Sequence, residues 1–369
     1  MKKSKSLSFI DHLRLSAFRH YRKTVTEEHR LTYLFWECTL RCNLNCRHCG
    51  SDCLKNSSIK DMPLADFVKV LDDIKAEGSS PKMTVCITGG EPLLRNDLEE
   101  AGVEIRKRGF NWSIVSNGLA MTEVRFNSLI SSGLGAMSLS IDGLEKEHNY
   151  LRCNQSSFDS VVKAIELCVE QNKKYPNLFI FDVITCVHSG NLKTLRQLRD
   201  FLISKGVKYW RLFSIFPSGR GDDSSLGLSK EQYTELMNFI SETRNYKNKE
   251  GKSIHANYSC ESYLGPYELK VRDYYYFCRS GINIGSVMCD GSISGCLSVR
   301  SPSFIQGNIY KDNFIEVWNK GFVNMRNRTW TKTGKCASCK NWKWCEGNSL
   351  HLHKDTCSEP VYCNLEMLE

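Results

Sequence analysis

The stretch Cys38-Thr-Leu-Arg-Cys42-Asn-Leu-Asn-Cys46-Arg-His-Cys49-Gly-Ser-Asp-Cys53 follows a run of aromatic and apolar residues, LTYLFWE (31–37). Within it, only Cys42, Cys46 and Cys49 satisfy the spacing C-x₃-C-x₂-C. Three thiolates on a tight loop hold three corners of a [4Fe–4S] cluster and leave one iron open, and an open iron is a chemical site. The competing readings are a zinc knuckle, with Cys38 or Cys53 as fourth ligand, and a closed ferredoxin-like cluster.

Outward from that loop, strand-like runs alternate with amphipathic ones. MTVCITG (83–89), NWSIVSN (111–117), AMSLSID (136–142), LFIFDVITCV (178–187) and KYWRLFSI (208–215) read as strands. Segments 63–77, 96–109, 122–132, 157–173 and 191–205 read as helices, the last with Asn191 at its start and Gly206 after it. This alternation predicts right-handed βαβ units around a parallel sheet. Six units are too few for an eightfold barrel, so the expected fold is α/β, a partial (β/α)₆ TIM-type barrel over 31–225. A bridging helix and charged linker span 226–275. From 276 to 369 helical periodicity fades, eight of the eighteen cysteines appear, and bound metal is expected to substitute for a hydrophobic core.

Composition narrows the class. The chain has 369 residues, 41% hydrophobic and 25% charged, as in ordinary globular proteins. No run approaches the roughly 18 apolar residues of a membrane span. Asp11, His12 and Arg14 interrupt the N-terminus before a signal-peptide core forms. A cytoplasmic protein is therefore expected, and cytosolic thiols stay reduced, which excludes a disulfide framework. The net charge of +9 does not imply nucleic acid, because more than half of it sits on residues 1–30. That basic extension carries Phe9, Ile10, Leu13, Phe18 and Tyr21 near helical spacing, which predicts an amphipathic helix packed on the main domain.

Cys42-x₃-Cys46-x₂-Cys49 after the first strand, followed by Gly89-Gly90-Glu91-Pro92 after the second, resembles the radical S-adenosylmethionine (SAM) superfamily. In that family the amine and carboxylate of SAM chelate the open iron, and one electron from the cluster cleaves SAM to a 5′-deoxyadenosyl radical. The resemblance implies that Gly89 and Gly90 let the backbone approach the methionyl amine. It implies that His48 packs near adenine. Ser116-Asn117 and Ser140-Ile141-Asp142-Gly143 end the third and fourth strands. The resemblance places Ser140 on the SAM ribose or methionyl part, Arg152 on its carboxylate, and Leu212 or Phe213 beside adenine. All lie at C-terminal strand ends, where barrel enzymes place chemistry.

Farther on, Cys278, Gly291-x₄-Cys296, Cys336-x₂-Cys339-x₅-Cys345 and Cys363 resemble the SPASM domain, which binds two auxiliary [4Fe–4S] clusters. By position Cys278 and Cys296 belong to the first, with Cys289 as a third ligand. Cys336, Cys339, Cys345 and Cys363 ligate the second, for which a zinc ribbon is the alternative. The family's next cysteine is Ser349 here. Either Cys357 replaces it, or the first cluster has an open iron, or that cluster is absent.

SPASM enzymes mostly act on peptides, so the resemblance implies a maturase that crosslinks, epimerises or otherwise modifies a residue of a ribosomally made peptide or protein. An electron donor such as flavodoxin or ferredoxin is implied. A leader-binding partner is an open question, because 41 residues before Cys42 are too few for a winged-helix module. Sulfatase maturases carry Asp where this chain has Leu297, and haem-pathway decarboxylases are the small-molecule alternative. A non-catalytic electron carrier leaves Gly89–Glu91 and Arg152 without a role. Cys86 and Cys168 read as core thiols. Cys153 follows Arg152, and Cys186 ends the fifth strand. Either would suit a hydrogen-atom donor to a substrate radical, which an epimerase needs.

Overall fold

Strand β1 (Tyr33–Thr39) shows how the chain divides its side chains. Leu34 and Trp36 are fully buried on one face, where the Trp36 indole stacks on Phe67 of helix α2 (Leu64–Ala76) at 4.2 Å. Tyr33, Phe35 and Glu37 point to the other face, into the barrel. The computed structural model describes residues 7–78, 82–259 and 262–368; the first six residues of the basic extension and Cys260 lie outside them.

The same two-faced pattern repeats along β2 (Thr84–Gly89), β3 (Asn111–Ser116), β4 (Ala136–Ser140), β5 (Ile180–Val187) and β6 (Tyr209–Ser214). Outward residues such as Trp112, Met137, Val183, Trp210 and Leu212 are buried under helices, as period-2 alternation on a helix-covered sheet requires. Those helices are α3 (Leu98–Lys107), α4 (Glu123–Ser131), α5 (Glu145–Arg152), α6 (Ser157–Lys174), α7 (Leu195–Ser204) and α8 (Lys230–Thr243). Cys168 of α6 rests on Met137 Sδ at 3.7 Å, a packing thiol. Several inward residues are polar. Cys86 lies between Tyr33 and Ser113, and Arg211 bonds Asp182 and, at 2.6 Å, Ser138.

All six expected strands are present and parallel, but the sheet is wider than six. The bridge contributes β7 (His255–Tyr258), parallel to β6. The cysteine-rich region adds β8 (Ile284–Val287), parallel to β1, then β9 (Ser292–Ser294) and β10 (Gly307–Asn308) in antiparallel pairs. The order is β10-β9-β8-β1-β2-β3-β4-β5-β6-β7, open between its two edges. Nor does the C-terminal region lack a core: Phe304, Phe314, Trp318, Phe322 and Met325 are buried, three of them on or just after the helix Phe314–Lys320. Their spacing is dispersed by turns, which hides the burial from periodicity.

Helix α1 (Phe9–Glu28) forms as expected, started by a capping box between Ser8 and Asp11. Its docking face differs from expectation. Phe9, Ile10, Leu13 and Tyr21 are exposed, whereas Leu15 and Arg22 are buried. Arg22 gains more than an apolar residue could there: its guanidinium donates to the carbonyls of Trp344 (2.8 Å) and Lys343 (3.1 Å) and to Glu346.

The end of β2 meets the start of the cysteine loop at backbone distance. An added Cβ at Gly90 would lie 2.0 Å from the Arg41 carbonyl oxygen, and one at Gly89 2.2 Å from that of Thr39. Gly90→Ala should therefore destabilise the protein by about 1–3 kcal/mol or more, lowering the thermal midpoint of the anaerobically handled protein. Gly135→Ala, whose new Cβ meets nothing nearer than 3.6 Å, should leave that midpoint nearly unchanged.

Candidate active site and cluster sites

Loop 40–53 connects β1 to α2 and is gripped from several sides. Arg220, in the glycine-rich segment after β6, donates from Nε to the Cys46 carbonyl (2.8 Å) and from Nη2 to that of Cys53 (3.0 Å). Its backbone N–H reaches the Cys49 carbonyl at 3.0 Å. Asn117 Nδ2 donates to Asn43 Oδ1 at 2.8 Å and lies 3.8 Å from Cys42 Sγ. Burial pushes the Cys42 thiol up to about 12, while a hydrogen bond from Cys53 pulls Cys49 below the usual thiol range.

Gly89 and Gly90 are required by the backbone packed on them, because an added Cβ would strike the Thr39 and Arg41 carbonyls. Glu91 is likewise internal: Ser116 Oγ (2.8 Å), the Asn117 N–H (2.8 Å) and the Leu93 N–H (3.1 Å) all donate to its carboxylate. Pro92 then opens a short 3₁₀ turn. These residues lock the β2 and β3 ends against the cysteine loop.

Asp142, fully buried after β4, organises the opposite wall. Its Oδ2 pairs with Arg152 Nε at 2.7 Å, and its Oδ1 accepts the Cys186 N–H at 2.9 Å. Burial raises the carboxyl, but Arg152 and the two histidines outweigh it and hold the group well below the ordinary range. Arg152 Nη1 sits 4.0 Å from Cys46 Sγ. His48 Nε2 is 3.9 Å from Asp142, and burial takes its imidazole down to about 4. Ser140 and Phe213 share the inward-facing registers of β4 and β6, while Leu212 is buried outward; of the pair, only Phe213 faces the barrel interior.

The two candidate hydrogen-atom donors separate. Cys186 faces the barrel interior, with its sulfur within 4.8 Å of His48 and Asp142 ligating atoms. Cys153 is exposed at the C-cap of α5 with φ +54°, its sulfur 3.7 Å from the Tyr150 carbonyl. It occupies a left-handed position that favours glycine, and it does not join the cavity.

In the C-terminal region Cys336, Cys339, Cys345 and Cys363 lie together as mutual neighbours. Cys278 and Cys296 form a second, smaller group. Burial raises Cys278, but the Arg328 guanidinium and the Leu350 N–H outweigh it and lower the thiol. Cys289 is not part of that pair: its sulfur contacts the Lys60 carbonyl at 3.3 Å beside Cys38 and Glu37, because it follows β8, which runs next to β1. Cys357 is exposed on the Asp355–Ser358 turn. Ser349, at the expected cysteine position, is buried and hydrogen-bonded to Tyr276 at 2.5 Å.

The donor set fits clusters better than single ions. Thiolates around one zinc sit about 3.8 Å apart. Among the described residues no three thiols lie within 4.8 Å of one another, and the one compact set is His48, Asp142 and Cys186. Spread thiolates suit a cubane, whose irons separate its ligands. A bound SAM also has an unfilled partner: His48 Nδ1 is buried with no hydrogen-bond partner among the described residues. The first auxiliary site gathers only two cysteines and fits a complete cubane less well.

Sequence reasoning missed Arg220 and the pair of Glu37 with Arg300. Glu37 is buried on the inward face of β1 and bonds Arg300, which also donates to Ser51 at 2.9 Å. An acid closing an apolar strand, and an Arg between two glycines, were the available signals.

Comparisons with known proteins agree with this architecture. Residues 36–202 match the radical SAM superfamily, and residues 278–340 match the SPASM iron–sulfur cluster-binding domain. The chain is 25% identical over 349 residues to an AdoMet-dependent heme synthase of Methanosarcina barkeri, covering 89% of this chain and 95% of that protein. It is 26% identical over 330 residues to the mycofactocin maturase MftC of Mycolicibacterium smegmatis, covering 86% and 77%. Its fold matches Streptococcus suis SuiB bound to S-adenosylmethionine with a TM-score of 0.67 at 17% identity, over 92% of this chain and 79% of that one. It matches anSMEcpe with bound AdoMet with a TM-score of 0.66 at 20% identity, over 92% and 96%. Among the described residues no helix is long and apolar enough to cross a membrane. With the cysteine loop, the strand-end motifs and both domain matches in agreement, residues 36–202 are a radical SAM domain and residues 278–340 a SPASM iron–sulfur cluster-binding domain, the combination of an enzyme.

Proposed function

We propose that this enzyme modifies a residue of a ribosomally made peptide or protein. Cys42, Cys46 and Cys49 would hold the cluster to which SAM binds, and that pair would supply a 5′-deoxyadenosyl radical for hydrogen abstraction. The chain's own residues then have distinct tasks. Asp142 holds Arg152 in the plane from which its remaining N–H groups reach a SAM carboxylate. Ser140, Asn117, His48 and Phe213 shape the nucleoside and methionyl contacts. Ser116, Glu91 and Pro92 position that wall without touching the ligand.

The observation that carries the peptide reading is a cavity of about 430 Å³ beside the cluster loop. Its wall at Gly221 packs on the His48 carbonyl. Ile215, Pro217, Leu228, Val361 and Met367 make it apolar, and its only charged side chains are Asp222 and Asp223. That lining suits an apolar or cationic side chain. It opposes a polyanionic tetrapyrrole, whose carboxylates would face two aspartates. The heme-synthase relatives favour a second reading, radical decarboxylation of an iron porphyrin. Formylglycine formation is a third, and Leu297 speaks against it.

With dithionite under anaerobic conditions, the native peptide substrate should raise 5′-deoxyadenosine output and change mass in mass spectrometry. The Cys42→Ala, Cys46→Ala, Cys49→Ala triple variant should lose about four irons and all SAM cleavage. If Fe-coproporphyrin III loses carboxyl groups instead, and the peptide stays unmodified, the peptide reading is wrong.

Arg152→Ala should weaken SAM binding about tenfold or more with iron content intact, because a buried hydrogen bond to a charged group contributes roughly 1.5–3 kcal/mol. Equilibrium binding of SAM to the reconstituted variant checks this, and unchanged affinity would make Arg152 purely a partner of Asp142.

Cys186 is the better-placed hydrogen-atom donor, and the outcome in D₂O separates the chemistries. An epimerase should place one solvent deuteron at the modified Cα, and Cys186→Ala should consume SAM without finishing the product. Cys153→Ala should behave as wild type. Full product from Cys186→Ala would favour crosslinking.

A further inference from the structure

A cavity of about 620 Å³ lies between α1 and the C-terminal region, away from the cluster loop. Arg19, Arg22, Lys23, Arg326 and Arg328 line it against two acids, Glu27 and Glu346. Those acids are already engaged, Glu346 with Arg22 at 2.7 Å and Glu27 with Lys23 at 3.7 Å. Arg19, Arg326 and Arg328 have no carboxylate within 4.0 Å among the described residues. Arg326 spends its donors on the carbonyls of Gly281, Trp318 and Gly321, which satisfies hydrogen bonds and leaves its charge uncompensated. A cleft with surplus cations concentrates anionic partners.

Two further features say which anion. The cleft lies directly over the auxiliary cysteines: Glu346 follows Cys345, Arg22 bonds the Trp344 carbonyl on the other side of it, and Arg328 faces Cys278. Beside the cleft, α1 exposes Phe9, Leu13 and Tyr21, four or eight residues apart, with Ile10. Apolar anchors next to a ring of charge suit a protein partner, not a small ion.

We infer that this cleft and the exposed stripe of α1 dock an acidic one-electron carrier protein of the flavodoxin or ferredoxin class, delivering electrons through the auxiliary cysteines. The inference rests on the iron–sulfur reading above. The step moves one electron per encounter: a flavin hydroquinone becomes the semiquinone, one cluster is reduced, and no bond is made or broken. An acidic peptide leader would have no reason to sit over the auxiliary cysteines, and electron transfer has one, because its rate falls steeply with distance.

The test uses the full chain reconstituted with iron and sulfide, mixed anaerobically with photoreduced flavodoxin. Bleaching of the cluster absorbance should slow at least tenfold between 50 and 300 mM salt, and at least tenfold in the Arg19→Glu, Lys23→Glu double variant. Bleaching by dithionite should be unaffected, since a small reductant needs no docking face. On the chain without clusters, carbodiimide should crosslink flavodoxin carboxylates to Lys23. If the charge reversal disturbs folding, Arg19→Gln with Lys23→Gln should still slow the flavodoxin reaction about threefold. Equal rates in variant and wild type overturn the proposal. So does charge-dependent binding of an octaglutamate peptide or of phosphatidylserine vesicles where flavodoxin neither crosslinks nor reduces. A chain that cleaves SAM with dithionite but ignores flavodoxin refutes only this docking face; one that accepts electrons and never cleaves SAM refutes only the proposed function.

Discussion

Loop 40–53 has almost no regular structure, so its three spaced thiols must be held by groups that spend hydrogen bonds on its carbonyls. Arginine meets that need, because one guanidinium offers five donors in a fixed fork. Arg95 ties the two flanks of the loop together, taking the Cys38 carbonyl before it and the Met62 carbonyl after it, both at 2.8 Å. Arg220 takes those of Cys46 and Cys53. Both anchors come from other parts of the chain, so the loop's geometry is a property of the whole barrel mouth. The glycine contact at Thr39 and Arg41 is the third support, and it works by the absence of a side chain.

The same mouth carries two buried ion pairs, Asp142 with Arg152 and Glu37 with Arg300. A buried pair gains little stability over apolar packing, and breaking one is expensive. Their value is placement. Asp142 is tied to Arg152, Cys186 and, through its carbonyl, Asn191 at 2.6 Å, so the ends of β4 and β5 and the end of helix α5 share one reference point. Arg300 does the corresponding job between the C-terminal region and the cluster loop. The cavity is preorganised by charges that are compensated before any ligand enters.

Much of this was legible in the residues. Six strands appear within a few positions of where β-branched and aromatic runs placed them, because strands covered by helices must be apolar on alternate positions. The cysteine spacing and the strand-end motifs located the cavity. The misses have physical causes. β7 and β8 are four residues each, too short for a periodic signal, and their partners are far away in sequence. Of the apolar residues named on α1, Phe18 docks against Tyr275 and Phe277 while Phe9, Ile10, Leu13 and Tyr21 stay exposed, since Arg22 docks through backbone carbonyls that no hydropathy pattern reveals. Cys289 was grouped by its neighbours in sequence, whereas pairing of β8 with β1 carries it to Lys60. The crowding of Gly89 and Gly90 by the Thr39 and Arg41 carbonyls was hidden too, because the segments that meet there are some fifty residues apart in sequence.

The insertion of β8 beside β1 also has a consequence for how the molecule is made. Tyr33 to Trp36 pair with Ile284 to Val287, so one edge of the first strand stays unpaired until some 250 residues later have left the ribosome. Through that interval the nascent chain exposes an aromatic strand edge next to reactive thiols, a combination prone to intermolecular pairing. Long-range closure of this kind is slow. The order of synthesis therefore favours loading iron and sulfide after the chain is complete, with chaperones shielding that edge until the last strands arrive.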